Sequence, residues 1–223
     1  MQRVTQPAVL FRDGTADKNA TESILFCGLQ ATWAIHDVMT LTLALTEADA
    51  ARARGAYVVF ALDYELGGLL EPATQRVRAN EGRPSSPLGY MWVFTTSERL
   101  TLEQADGWLL ARGTDQPAGC LRAVPELNAE AYGRKLAEIR QWIADGEIYQ
   151  MNYTFPLDVT LYGDPATVFL NLVRAQPTPH SVYVDTPEYQ VLSLSPELFF
   201  AVDGSRISVR PMKGTLPRSQ ELQ

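Results

Sequence analysis

Four short strand-like runs follow one another with almost nothing between them: Ser181–Asp185, Tyr189–Leu194, Leu198–Val202 and Arg206–Arg210. The links Thr186-Pro187-Glu188 and Asp203-Gly204-Ser205 are built of turn-forming residues and are too short to carry a crossover. Runs joined this way pair only as antiparallel neighbours, so this end of the chain is predicted to be an antiparallel meander. Asn128–Asp145 places Tyr132, Leu136, Ile139 and Ile143 at helical spacing, with Trp142 widening the stripe, Asn128 as N-cap and Gly146 as stop. Asp164-Pro165 opens a second helix that ends before Pro177 and buries Phe169, Leu170 and Val173. The expected fold class is α+β, with largely antiparallel sheets and packed helices, the Asn128–Asp145 helix lying on the meander.

Upstream, Pro7–Phe11 is the one apolar segment before residue 35, and polar turn residues follow it to Asn19. Leu41–Arg54 reads as a helix closed by Gly55, and Ala56–Tyr64 as a buried strand. Thr74–Pro87 is polar, then rich in Pro and Ser, and reads as an exposed loop. Leu88–Thr95 and, after the Asp106-Gly107 turn signal, Trp108–Arg112 read as strands. The expected organisation is a strand-rich N-terminal subdomain over 1–112, a connection over 113–126, and the first part of a second domain over 127–223.

Composition narrows the partners. The 223 residues carry a net charge of −7, which gives no support for nucleic acid or an anionic membrane as partner. Cys27 and Cys120 are far apart and in no metal-like spacing, as expected of a reducing compartment. The N-terminus has no signal-peptide core and no apolar run is long enough to span a bilayer, so a cytoplasmic protein is expected. His36 and His180 lie near no Cys or carboxylate cluster, and no phosphate loop or Ser-His-Asp pattern stands out.

Two titratable residues flank the last hairpin: Glu197, after Ser195-Pro196, and Lys213, within Pro211-Met212-Lys213-Gly214-Thr215. If Asp203-Gly204-Ser205 is the loop, Val202 pairs with Arg206, Glu197 sits opposite Pro211, and Lys213 is its diagonal neighbour. If the loop is Gly204-Ser205, the apolar faces match better, but Lys213 points away unless Pro211 breaks the ladder. Either register brings both groups to one end of the hairpin. A lysine beside a carboxylate in a partly dry cleft can release its proton and act as a nucleophile. The plain alternative is a solvated ion pair of little energetic weight.

Three segments now come together. Gly146-Glu147-Ile148-Tyr149-Gln150-Met151-Asn152, then Ser195-Pro196-Glu197, then Arg210-Pro211-Met212-Lys213-Gly214-Thr215 resemble, in order and separation, the motifs of the chorismate-utilising enzymes. The resemblance covers 127–217 well and the N-terminal half loosely, through Tyr64-Glu65 and Leu88–Phe94. Lysine inside Pro-x-Lys-Gly-Thr is similar to the aminodeoxychorismate synthase component I branch, whereas the anthranilate branch usually has alanine there.

The resemblance implies a partial chorismate-utilising-enzyme fold and amination of chorismate to 4-amino-4-deoxychorismate, on the way to para-aminobenzoate and folate. It implies ammonia from a glutamine amidotransferase subunit, Lys213 as nucleophile, Glu197 as general acid/base, and Gly214 and Thr215 as substrate-binding residues. It also implies Mg2+, with its ligands in the later half of the family's length. This sequence ends at Gln223, so the expectation is an N-terminal portion that does not turn over chorismate alone. The rival readings are a non-catalytic module that binds a partner or an amino acid, and an anthranilate synthase-like enzyme.

Overall fold

Apolar residues on both faces of a strand require cover on both sides, and the central strands of this chain are of that kind. The computed structural model describes residues 6–15, 22–71 and 86–210. Its elements in chain order are β1 (Ala8–Arg12), β2 (Ser23–Ile35), α1 (Val38–Ala53), β3 (Tyr57–Leu62), a single 3-10 turn (Tyr64–Leu66), α2 (Gly67–Leu70), β4 (Gly89–Leu100) and α3 (Leu102–Arg112). Then come β5 (Gly119–Pro125), α4 (Ala129–Ala144), β6 (Leu157–Tyr162), α5 (Pro165–Ala175), β7 (His180–Asp185), β8 (Gln190–Ser195), β9 (Leu198–Asp203) and β10 (Arg206–Arg210).

Six strands form one antiparallel sheet in the order β3-β4-β2-β1-β7-β8, and β9–β10 and β5–β6 are separate two-stranded ribbons. The α+β, largely antiparallel architecture expected from the sequence is present. The four-stranded meander is not continuous, however. β7 and β8 join the large sheet through β1, while β9 and β10 leave it after Pro196-Glu197. Proline has no N–H to extend the β8 ladder, which accounts for the break. The sheet therefore takes strands from both sides of residues 113–126, and those residues themselves contain β5.

One face of the sheet carries Ala8, Leu10, Leu25, Leu100 and Tyr183 against α3 and α5, whose Leu109, Phe169, Leu170 and Val173 are buried. Further along the sheet, Ile35, Met91 and Val93 meet Leu41, Ala44, Ala48 and Ala51 of α1. The other face holds Val9, Val59, Trp92, Phe94 and Val184. The sheet curls until Trp92 and Tyr90 of β4 meet Tyr189, at ring centroid distances of 5.8 and 5.0 Å. Full burial of such side chains contributes about 1.5–3 kcal/mol each. On β2, Phe26 and Leu29 share a cluster although strict alternation forbids it. Gly28 lies between them with φ 70, where the strand bends.

Helix ends follow their local chemistry. Asp37 caps α1 by accepting from Thr40 N at 2.8 Å, and that hydrogen bond holds its carboxyl below the usual range. Asp164 Oδ1 caps α5, accepting from Ala166 N at 2.9 Å, with Pro165 in the first turn. Trp108–Arg112, expected to be a strand, is the last part of α3. The Thr101–Gln104 capping box starts that helix, and Asp106-Gly107 passes through its middle rather than forming a turn. Two ion pairs tie α3 to the sheet. Arg12 Nε donates to Asp106 Oδ1 at 2.7 Å, and Arg112 Nη2 reaches Asp185 Oδ2 at 2.6 Å, with Arg112 stacked over Trp108 at 4.8 Å.

The Asn128-capped helix α4 forms as expected, and Gly146, with φ 77, follows its end. Its aromatic contact is with the segment that follows it: Tyr132 meets Tyr153 at 5.8 Å and Phe155 at 5.6 Å. The segment Thr74–Pro87 lies outside the described residues except for Ser86 and Pro87.

Candidate active site

The candidate site is built around the place where the chain leaves the large sheet. β8 ends at Ser195, which lies opposite His180 of β7. Ser195 Oγ donates to the Glu197 carbonyl at 3.2 Å and accepts from Glu197 N at 3.3 Å. This local clamp fixes the backbone around Pro196 and presents the Glu197 side chain to solvent.

The hairpin that follows contains both registers allowed by the sequence, in different places. At the turn, Asp203 pairs with Arg206, Val202 with Ile207 and Ala201 with Ser208, around the two-residue loop Gly204-Ser205. Gly204 has φ 57, the positive angle that such a tight hairpin needs at its first loop position. Beyond Ser208 the register shifts, and Arg210 pairs with Leu198. Phe199 and Phe200 therefore oppose Val209 alone, a β-bulge with the two rings 5.0 Å apart. Bulges re-aim side chains, and this one is two residues from Glu197.

Glu197, Leu198, Phe199 and Val209 line a shallow open concavity. Phe199 is 85% exposed, so the lining next to Glu197 presents an open aromatic ring. Leu198, Phe199 and Val209 were not singled out from sequence as site residues. Their signal was the two adjacent phenylalanines facing an alternating Arg206–Arg210 strand, which fits a bulge but does not place it.

Lys213, Gly214 and Thr215, the other expected site residues, lie outside the described residues, as do Pro211 and Met212. Arg210, the last described residue, adjoins Leu198 and so brings the chain alongside Glu197. The segment Gly146–Asn152 runs irregularly from α4 toward β6, with Tyr149 91% exposed. Among the described residues no group of three or more His, Cys, Asp or Glu side chains is placed to hold a metal ion. Among them, too, no helix is long and apolar enough to cross a membrane.

Comparison with known proteins finds relatives over part of the chain. The chain is 39% identical over 170 residues to aminodeoxychorismate synthase component 1 of Klebsiella aerogenes, covering 70% of this chain and 37% of that protein. It is 37% identical over 97 residues to the Escherichia coli protein of the same name, covering 44% of this chain and 21% of the relative. It is also 32% identical over 95 residues to anthranilate synthase component 1 of Saccharolobus solfataricus, covering 43% and 23%. The chain thus spans between about a fifth and about two fifths of the length of these relatives. The sequence pattern of the chorismate binding enzymes matches residues 8–223, and this chain belongs to that family.

Proposed function

We propose that this chain carries the first part of an enzyme that aminates chorismate to 4-amino-4-deoxychorismate. The observation that supports it is the position of Glu197, held by Ser195 beside an apolar concavity, with Arg210 alongside and Lys213 three residues further in the sequence. Three residues of chain span at most about 11 Å, so Lys213 and Glu197 can act on one substrate. Lysine at position 213 favours amination at C4 over the anthranilate branch.

The reaction balances as chorismate plus ammonia giving 4-amino-4-deoxychorismate plus water. Lys213 Nζ attacks the ring at C2, both ring double bonds shift (C1=C2 to C1=C6, C5=C6 to C4=C5), and the C4 hydroxyl departs as water with a proton from Glu197. Ammonia then adds at C4 and passes a proton to the Glu197 carboxylate, both double bonds shift back, and the lysine leaves C2. Gly214 and Thr215 bind substrate. Ammonia comes from a glutamine amidotransferase subunit. A substrate carboxylate would be neutralised by Mg2+, which residues of the family's later length would hold. The free thiols Cys27 and Cys120 suit the reducing cytoplasm.

The test uses a polypeptide of the relatives' full length that includes these 223 residues, given chorismate without ammonia. Intact-mass and peptide measurements are expected to find an adduct on the Lys213 peptide. Lys213→Ala should abolish it, and Lys213→Arg should do no better, because a guanidinium stays protonated. Absence of the adduct together with normal turnover by Lys213→Ala would overturn the proposal.

A further inference from the structure

Both sides of α1 are apolar. Leu41, Ala44, Ala48 and Ala51 are buried against the sheet. On the opposite side Val38, Met39, Leu43 and Leu45 are each more than half exposed. The threonines between them extend this surface rather than interrupt it. Thr42 Oγ1 donates to the Val38 carbonyl at 2.7 Å and Thr46 Oγ1 to the Thr42 carbonyl at 2.9 Å. Both hydroxyls are thus turned back onto the helix, leaving the methyl groups for its outer surface. No charged residue occurs from Val38 to Thr46. The water-facing helix α4 is different, with Arg134–Glu130 and Lys135–Glu138 ion pairs along its surface. A helix apolar on all sides is one that is covered on all sides.

The order of residues along α1 indicates what covers it. Met39, Leu43, Thr46 and Ala50 follow at spacings of four, three and four and form one stripe, with the large side chains first and the small ones last. Charge is divided in the same way: Asp37 caps the N-terminus, and Arg52 and Arg54 stand at the C-terminus. Arg52 pairs with Asp49 only at 3.8 Å, both side chains being largely exposed. A second α1, turned antiparallel about a two-fold axis at the level of Ala44-Leu45, sets Met39 opposite Ala50, Leu43 opposite Thr46 and Asp37 opposite Arg52. Each large side chain then meets a small one, each carboxylate meets a guanidinium, and opposite ends of the two helix dipoles lie side by side. Such self-complementarity is what a two-fold dimer requires. A lipid surface suits α1 less well. Interfacial helices ring their apolar face with Lys and Arg, whereas this one is flanked by Asp37, Glu47 and Asp49 in a chain of net charge −7.

We infer that two copies of this chain associate through the outer face of α1, with the helices antiparallel in that register. One helix pair covers less than the roughly 800 Å² per partner of a standard interface, so the dimer is weak and reversible. The inference is independent of the reaction proposed above.

Sedimentation velocity on the 223-residue chain tests it. The chain should be mainly dimeric at about 200 μM and monomeric at about 2 μM, a dissociation constant on the order of 10⁻⁵ M. Leu43→Asp should weaken association about tenfold or more, while the melting temperature of the dilute monomer stays within error, because the residue is exposed. Asp37→Asn keeps a good N-cap, and Arg52→Gln keeps a good helix former. Each should weaken the dimer about two- to fivefold, and the double variant should be no weaker than the weaker single one. A chain still monomeric at the higher concentration would overturn the inference. Association unaffected by Leu43→Asp would overturn it by placing the contact elsewhere, and additive effects at Asp37 and Arg52 would overturn the antiparallel register. Binding to vesicles of phosphatidylcholine and phosphatidylglycerol that Leu43→Asp abolishes would overturn it in favour of a lipid surface.

Discussion

Arg210 lies opposite Leu198, although the register at the turn would have set it opposite Phe199. The extra residue on β9 is absorbed by the Phe199-Phe200 bulge, and it decides which residue adjoins Arg210 near Glu197. Deleting Phe199 should restore a regular ladder and turn Glu197 toward the opposite face, since a one-residue slip flips every side chain. In the full-length polypeptide the expected result is a loss of amination of about 100-fold or more, with circular dichroism unchanged. Normal turnover by the deletion variant would show that the bulge does not aim Glu197.

Glu197→Gln keeps the size of the side chain and removes its ability to give and take a proton. The residue is exposed, so the melting temperature should stay within error. Turnover of the full-length enzyme should fall by about 10²–10⁴ while substrate affinity changes little. Steady-state kinetics with ammonia check it. The 223-residue chain alone should form no aminodeoxychorismate, and measurable product from it would refute that expectation.

The Arg12–Asp106 pair offers a stability test away from the site. Arg12 is only 4% exposed, and its Nη1 has no hydrogen-bond partner among the described residues, so Asp106 carries much of the compensation for that buried charge. Asp106→Ala should destabilise by about 3 kcal/mol, read as a fall in urea midpoint at constant slope. The double variant Arg12→Met/Asp106→Leu should recover most of that loss, because no charge is then left buried.

Alkaline pH provides another check. Burial, with Asp63, Tyr90 and Glu188 adding to it, pushes the Tyr189 hydroxyl up to about 12, while an unfolded tyrosine titrates at about 10. The folded chain therefore holds this proton more tightly than the unfolded one. The associated stability is complete below about pH 10 and is lost as pH rises toward 12. Burial raises Tyr183 as well, so Tyr189→Phe should flatten the fall in urea midpoint across this window without removing it. An unaltered slope would contradict the assignment.

The helices were legible where caps and periodicity agreed, as at Asn128 and α4 or Asp164-Pro165 and α5. α3 was misread because Trp108–Arg112 is a short apolar run, and such runs look alike in strands and helices. The distinguishing signal was upstream, in Thr101 and Gln104. β2 went unseen over its 13 residues because Gly28 interrupts the alternation that marks a strand. β5 and β6 were missed because their exposed residues show no clear buried face. At the site, the neighbours of Glu197 fit a solvent-facing strand edge equally well, and only the Ser195-Pro196-Glu197 resemblance singled it out. Neither uniform register was right, since a bulge depends on how two strands settle against each other and leaves little trace in either alone.

The pairing of β1 with β7 imposes a delay during synthesis. Ala8 is matched to Asp185, 177 positions later (185 − 8). At about 5–20 residues per second a ribosome needs roughly 10–35 s to make the intervening chain. For that interval the nascent β1–β2 pair waits with an open edge, so the sheet cannot assemble in the order in which its strands emerge. Protection of that edge by a chaperone, or slow pairing while α3 shelters Leu10, would then limit how much of the newly made chain reaches the native state.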